Sequence, residues 1–253
     1  WKSVLENWRT NIRVKKQIKK RKRILVVCQH YWPESFRITD LCEGFVENGI
    51  EVDVLCGEPN YPKGEWMEGY GPFAHRREIH NGVKIMRTFE IKRGNNSNLR
   101  IFLNYITFPV ASFFHIPFLL RRKYDRIFIY QLSPVLMAFS GIILSKIKKI
   151  ETIMYVLDMW PQNLYAILDI RNKVVKRFIE KVSLWHYCNV DKIMVPSKRM
   201  RDYYVSKLNF SENNIVYIPQ CCEAVYEKKV LNLELKKRFQ NGFNIVFTGN
   251  ISP

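Results

Sequence analysis

The residues best suited to chemistry fall in short polar stretches that follow apolar runs. One is His30-Tyr31-Trp32-Pro33-Glu34-Ser35-Phe36-Arg37, which puts an imidazole, a phenol, a carboxylate and a guanidinium close together. No G-x-G-x-x-G lies here, and the bulky Tyr31-Trp32-Pro33 corner argues against a dinucleotide resting on the following helix, so the stretch suits a polar substrate better than a pyrophosphate. A second stretch, Gln131-Leu132-Ser133-Pro134, offers an amide and a hydroxyl. The sharpest is Asp158-Met159-Trp160-Pro161. An acid at a strand end, followed by an aromatic and a rigid proline, can accept a hydroxyl of a sugar-like ligand and stack its ring. The same residues can equally be a helix cap at Asp158 with Trp160 in the core. The candidate ligand contacts are therefore His30, Tyr31, Glu34, Arg37, Gln131, Ser133 and Trp160, with Asp158 as the candidate for chemistry.

These stretches matter only if the fold brings them to one place. Residues 24–28 form an apolar run bounded by basic residues, 36–47 carry apolar residues at helical spacing, and a second apolar run follows to Gly57. Two β-branched runs separated by one helix predict a βαβ unit, hence a parallel sheet covered by helices. The alternation resumes with strands predicted over 125–130, 152–157, 192–195 and 215–218. Helices are predicted over 134–147, 163–168, 174–187 and after the capping Ser197. The fold class is α/β, a Rossmann-like doubly wound parallel sheet, in which loops after the strand C-termini gather at one edge as a cleft. Between these units, 57–77 is a long loop rich in Gly, Pro and aromatics, which marks a functional or mobile segment. Asn81-Gly82 predicts a hairpin turn. His75, Arg76, Arg77, Lys92, Arg93 and Arg100 make this flank basic, either as ordinary solvated surface or as an anion-receiving rim.

The chain has 253 residues, 47% of them hydrophobic, enough for a sizeable core. Its formal charge is +18, half of it carried by residues 1–23. There Trp1, Leu5, Trp8 and Ile12 share a helical face surrounded by Lys and Arg, the pattern of either a solvated extension or an interfacial anchor. Nucleic acid is a weaker reading, because no nucleic-acid module follows. Six cysteines without C-x-x-C spacing suggest neither zinc nor a disulfide framework and fit a reducing cytosol. No signal peptide is evident. Residues 101–120 are the most apolar, but Asn104, Pro109, His115 and Pro117 interrupt them, so they read as a helix that packs on the sheet or dips into one leaflet rather than as a span.

Several of these residues together resemble the family 4 glycosyltransferases of the GT-B fold. The similarity is greatest to the branch that builds bacterial surface polysaccharides on a polyprenyl-diphosphate carrier. The resemblance rests on Tyr31-Trp32-Pro33-Glu34, Arg37, the run Gly49-Ile50-Glu51-Val52-Asp53-Val54-Leu55, the D-x-W-P at Asp158, Asp191 to Ser197, Ile218-Pro219, and Phe243 to Asn250. Glu34-Ser35 stands where many relatives have Gly-Gly, and Gln220-Cys221-Cys222-Glu223 replaces an Asn-Gly. The resemblance implies a retaining, metal-independent hexosyltransferase without a cofactor. It would move a sugar from a nucleotide-sugar donor, a UDP-sugar, to a polyprenyl-diphosphate-linked saccharide while peripheral on the cytoplasmic face of an anionic membrane. It implies Asp158 as the acceptor-orienting or proton-accepting group and Gly249 and Asn250 on the donor side. The expected organisation is a basic extension over 1–22, an acceptor-side domain over 23–240, and the truncated start of a donor-binding domain over 241–253. On this reading the chain as given is inactive. A stand-alone membrane-anchoring acceptor domain that recruits a separate donor-binding chain is the alternative.

Overall fold

A computed structural model describes residues 21–72, 74–94, 97–167, 170–220, 232–239 and 242–245. The chain forms a compact unit through Pro219 and a second unit from Gln220 onward. In the second unit the described residues include one short helix, Leu233–Arg238, capped by Asn232, whose side chain accepts from the Glu234 and Leu235 N–H groups. Gly249 and Asn250 lie outside the described residues, as does the amphipathic segment that begins at Trp1.

The first unit is built on an eight-stranded sheet. Its strands are β1 (Arg23–Val27), β2 (Glu51–Cys56), β3 (Arg77–His80), β4 (Val83–Arg87), β5 (Arg126–Gln131), β6 (Thr152–Val156), β7 (Lys192–Val195) and β8 (Ile215–Tyr217). The spatial order is β3-β4-β2-β1-β5-β6-β7-β8, parallel throughout except for the β3–β4 hairpin. The hairpin turns at Asn81 and Gly82, both at positive φ, which is the conformation a tight two-residue turn demands. The chain winds outward from β1 to the hairpin, then returns to β5 on the other side of β1. The order therefore reverses between β1 and β5, and the crevice outside the carboxyl ends of those strands is the topological switch point.

Among the described residues, seven α-helices connect the strands: α1 (Ile38–Glu47), α2 (Asn98–Phe113), α3 (Ile116–Leu120), α4 (Phe139–Lys148), α5 (Gln162–Ile167), α6 (Lys173–Cys188) and α7 (Lys198–Leu208), the last between β7 and β8. Ser197 caps α7 by accepting from the Met200 N–H at 3.2 Å, as its residue type predicts. Strand residues alternate between two buried faces. Leu25, Val27, Ile127, Ile129, Met154 and Val156 face α2, α3, α4, α6 and α7, while Val26, Cys28, Val54, Cys56 and Phe128 face α1. Burial on both faces explains why the strands read as continuous apolar runs rather than as alternating ones.

The apolar segment 101–120 is two helices, not one. Pro117 has no N–H to donate to the Phe113 carbonyl, so α2 closes with tight bonds from Phe114 to Ala111 and from His115 to Ser112, and α3 restarts with the proline in its first turn. Phe108, Ile116 and Leu119 point into the core, whereas Phe102, Val110 and Phe114 are exposed. Among the described residues no helix is long and apolar enough to cross a membrane.

Candidate functional site

The switch point divides the site into two halves. On the β5–β6 side, Asp158 follows β6 and its Oδ2 accepts from the Ser133 N–H at 3.0 Å. Gln131 is fully buried and donates through Nε2 to the carbonyls of Leu132 (2.7 Å) and Asp158 (3.3 Å). Gln131 and Asp158 thus tie the β5 and β6 loops into one edge, and Gln131 acts as a brace rather than an exposed ligand contact. Burial, then the neighbouring Cys28 and Tyr155, raises the phenol of Tyr130 at the end of β5.

On the β1–β2 side a buried polar network holds the first loop. His30 is 3% exposed, and its ring lies 2.9 Å from Glu34 Oε2 through Nδ1 and 3.3 Å from Arg93 Nη2 through Nε2. A guanidinium can only donate, so Nε2 is the acceptor and Nδ1 carries the proton it donates to Glu34. The other Glu34 oxygen accepts from the backbone N–H groups of Asn60 (2.8 Å) and Tyr61 (2.6 Å), and the His30 ring stacks on Phe36 at 4.9 Å. Gln29 Nε2 donates to Glu90 Oε2 at 3.2 Å and to Asn104 Oδ1 at 3.0 Å, and Asn60 Nδ2 donates to Glu90 Oε1. Arg93 Nε donates to Asn104 Oδ1 at 3.3 Å. The network thus fixes the His30 ring between the Glu34 carboxylate and the Arg93 guanidinium.

The long loop between β2 and β3 is tied down by this network. Gly57 is required at its start, since a Cβ there would sit 2.4 Å from Glu90 Oε2 and 2.9 Å from the Gln29 carbonyl. Gly64, at φ +76°, accepts from the Gly94 N–H at 2.7 Å and brings the loop against the segment after β4. The loops after β1, β2, β5 and β6 each contain one cis prolyl bond, at Pro33, Pro62, Pro134 and Pro161.

Two carboxyls in this half are held toward their neutral form. Burial, then the Glu34 charge, keeps Glu90 well above the usual carboxylate range. Glu58 is fully buried, neither of its oxygens has a hydrogen-bond partner, and burial pushes it up to about 7 against the opposing pull of Arg87 and Arg76. A carboxyl raised in the folded state binds more protons folded than unfolded between its ordinary value and about 7. Stability therefore falls as pH rises through that window, by on the order of 3 kcal/mol for this group. Glu58→Gln is expected to lessen the fall: thermal melting from pH 5 to 8 should show the variant gaining on the parent as pH rises. Parallel pH profiles would remove Glu58 as the cause.

The remaining sequence candidates occupy other places. Tyr31 is 2% exposed and packs in the core with Ile38 and Cys42 of α1. Trp160 is 7% exposed, belongs to the core, and accepts at its carbonyl from Tyr187 Oη at 3.0 Å. Of the two readings of D-x-W-P, Trp160 takes the core place, in one cluster with Tyr187 of α6 and Tyr204 of α7 and lining a cavity of about 400 Å³ between these helices, while Asp158 is left on the cleft edge. Glu58, Asn60, Tyr61, Glu90, Asn104 and the role of Arg93 were not singled out from sequence. Asn104 alone gave a signal, as a polar interruption of an apolar helix.

Residues 35–223 match the model of Glycosyltransferase Family 4, most of the compact unit just described. The chain belongs to glycosyltransferase family 4. No curated protein matches it. Among solved structures, it is similar to trehalose-6-phosphate from E. coli bound with UDP-2-fluoro glucose, with a TM-score of 0.52 at 10% identity over 86% of this chain and 54% of that chain. A glycosyltransferase from Rickettsia africae ESF-5 gives 0.48 at 10% identity over 87% and 49%. TcCGT1 in complex with UDP gives 0.49 at 10% identity over 88% and 56%. The first of these likenesses supports the fold assignment, a Rossmann-like domain of the GT-B type. The family 4 chain spans about half the length of each.

Proposed function

We propose that this family 4 chain is the acceptor-side half of a retaining GT-B glycosyltransferase. It moves a hexose from a UDP-sugar to a polyprenyl-diphosphate-linked saccharide in cell-surface polysaccharide synthesis, at the inner face of the cell membrane. The observation that carries the proposal is the Asp158 carboxylate held against the β5 loop by the Ser133 N–H at 3.0 Å, beside the switch point where α/β sheets bind their ligands. Asp158 supplies a carboxylate that orients or deprotonates the acceptor hydroxyl. His30, held by Glu34, presents an acceptor nitrogen, and Ser133 and Arg37 line the same edge. The UDP-sugar bound to the E. coli relative supports a nucleotide-sugar donor. Gly249 and Asn250 are proposed for the donor side, and no metal or cofactor enters the scheme. Residues 1–22 are proposed as a basic extension, 23–240 as the acceptor-side domain and 241–253 as the start of the donor-binding domain.

The test is transfer by the complete enzyme from a radiolabelled UDP-hexose to a membrane fraction containing polyprenyl-diphosphate saccharides. Label should enter the organic-solvent-extractable lipid, and the anomeric configuration of the product, read by NMR, should match that of the donor. Transfer confined to water-soluble acceptors would remove the lipid-linked substrate, and an inverted product would remove the retaining mechanism.

A further inference from the structure

The cavity of about 400 Å³ between α5, α6 and α7 is within the range of about 300–1,000 Å³ that small-molecule sites occupy. It adjoins the candidate site through the chain itself. Trp160 and Pro161 of its wall follow Asp158 in the loop after β6, and the two residues from Asp158 to Trp160 span at most about 7 Å. Trp160 and Tyr187 are buried, so the core fixes both rings. Tyr187 Oη donates to the Trp160 carbonyl at 3.0 Å, and Gln162 Nε2 of α5 donates to Tyr203 Oη of α7. These walls are held before any ligand arrives, which lowers the entropy a ligand must overcome.

The facing wall is α6, where Arg177, Glu180 and Lys181 line the cavity at exposed positions. Their spacing makes them neighbours on the helix, yet among the described residues none of the three is in an ion pair. The lining selects its occupant. An anion entering here meets Glu180, and a cation meets Arg177 and Lys181. A hydroxyl meets neither cost, because it donates to the carboxylate and accepts from the guanidinium. The rings of Trp160 and Tyr187 add an apolar surface on which a flat face can stack. The complementary ligand is therefore uncharged, carries several hydroxyls and has one apolar ring face, which describes a neutral sugar.

We infer that this cavity is a saccharide subsite, taking a neutral sugar residue of the acceptor next to the one that meets Asp158. It rests on the saccharide acceptor proposed above and adds a second place where that acceptor is held. The chain is probed by saturation-transfer NMR with the methyl glycosides of glucose, galactose, mannose and N-acetylglucosamine, and with glucuronate and glucosamine as charged counterparts. At least one neutral glycoside should take up saturation at its ring protons and bind about fivefold or more tighter than either charged sugar. Arg177→Ala and Glu180→Ala change exposed helix positions to the best helix former and so spare the fold. Each should weaken the neutral glycoside by about tenfold or more, the worth of a hydrogen bond to a charged group. They should also move charge selectivity in opposite directions, Glu180→Ala toward glucuronate and Arg177→Ala toward glucosamine. Saturation of no neutral glycoside overturns the subsite, as does a charged sugar that binds more tightly than every neutral one. Glycoside binding that both variants leave at the parent's affinity puts the sugar elsewhere on the chain and overturns it too. In the complete enzyme, Arg177→Ala should raise the acceptor KM by about tenfold with kcat unchanged, because the cavity holds a sugar that does not react. An unchanged KM, in an enzyme that does glycosylate a saccharide, removes the subsite and leaves the acceptor reading standing. Transfer only to acceptors without sugar removes both.

Discussion

Asp158→Asn is expected to lower the turnover of the complete enzyme by about 10²-fold or more, with its melting temperature unchanged. The structural work of Asp158 is to accept the Ser133 N–H at 3.0 Å, and an asparagine carbonyl oxygen can do the same. What the substitution removes is the negative charge at the end of β6, which a group that orients or deprotonates a hydroxyl needs in the transition state. Arg37→Ala probes the loop after β1 and should act in the same direction. The comparison that gives the result meaning is Asp158→Ala, which loses both the charge and the cap, and so should lower stability as well as rate. Steady-state kinetics and thermal melting of the three variants decide the matter. Parent rates from a normally melting Asp158→Asn would make Asp158 a loop cap and nothing more.

Arg87→Met is expected to destabilise the domain by about 3–5 kcal/mol, the cost of breaking a buried charge pair by removing one partner. The Arg87 side chain has no solvent exposure at all. Nη1 donates to the His75 carbonyl at 2.9 Å, while Nη2 donates to the Trp32 carbonyl at 2.7 Å and to Glu78 Oε1 at 2.8 Å, and the guanidinium lies over the Tyr70 ring at 4.8 Å. One side chain thus fastens the end of the long loop, the hairpin and the loop after β1. Methionine keeps the apolar volume but leaves two carbonyls and a carboxylate without their donor. Lysine keeps the charge but, as a single flexible ammonium, cannot hold acceptors in the fixed fork, so Arg87→Lys should recover only part of the loss. Urea unfolding measures both, and a loss below about 1 kcal/mol for Arg87→Met would show that the loop is held elsewhere.

The predicted helix over 101–120 shows how local pattern and local chemistry part company. Apolar composition identified the segment, but the break at Phe114 and His115 follows from the missing Pro117 donor, and exposure of Phe102, Val110 and Phe114 follows from which neighbours the fold provides. The same division holds at the cleft. A run such as residues 24–28 is apolar on both faces because both faces are covered, so its strand character, the βαβ order and the edge at which the loops gather could all be read from composition and spacing. The Ser197 cap and the Asn81-Gly82 turn were legible for the same reason: each is a contact between residues adjacent in sequence.

The partners of a buried polar group are set by strand order, and spacing carries no record of them. Glu34 meets Asn60 and Tyr61, and Gln29 meets Glu90 and Asn104, because β2 and β4 lie beside β1 and α2 crosses that edge. Isolated single residues at strand ends, as Glu58 and Glu90 are, look in sequence like ordinary solvated acids. Only the closing of the long loop over them removes the water and raises their carboxyls. Asp158 and Trp160 make the contrast sharpest: their types and order allowed either a ligand contact or a cap with a core ring. Membership of one core cluster with Tyr187 and Tyr204 decided that ring's place, while Asp158 stayed at the edge because the β5 loop beside it supplies the Ser133 N–H.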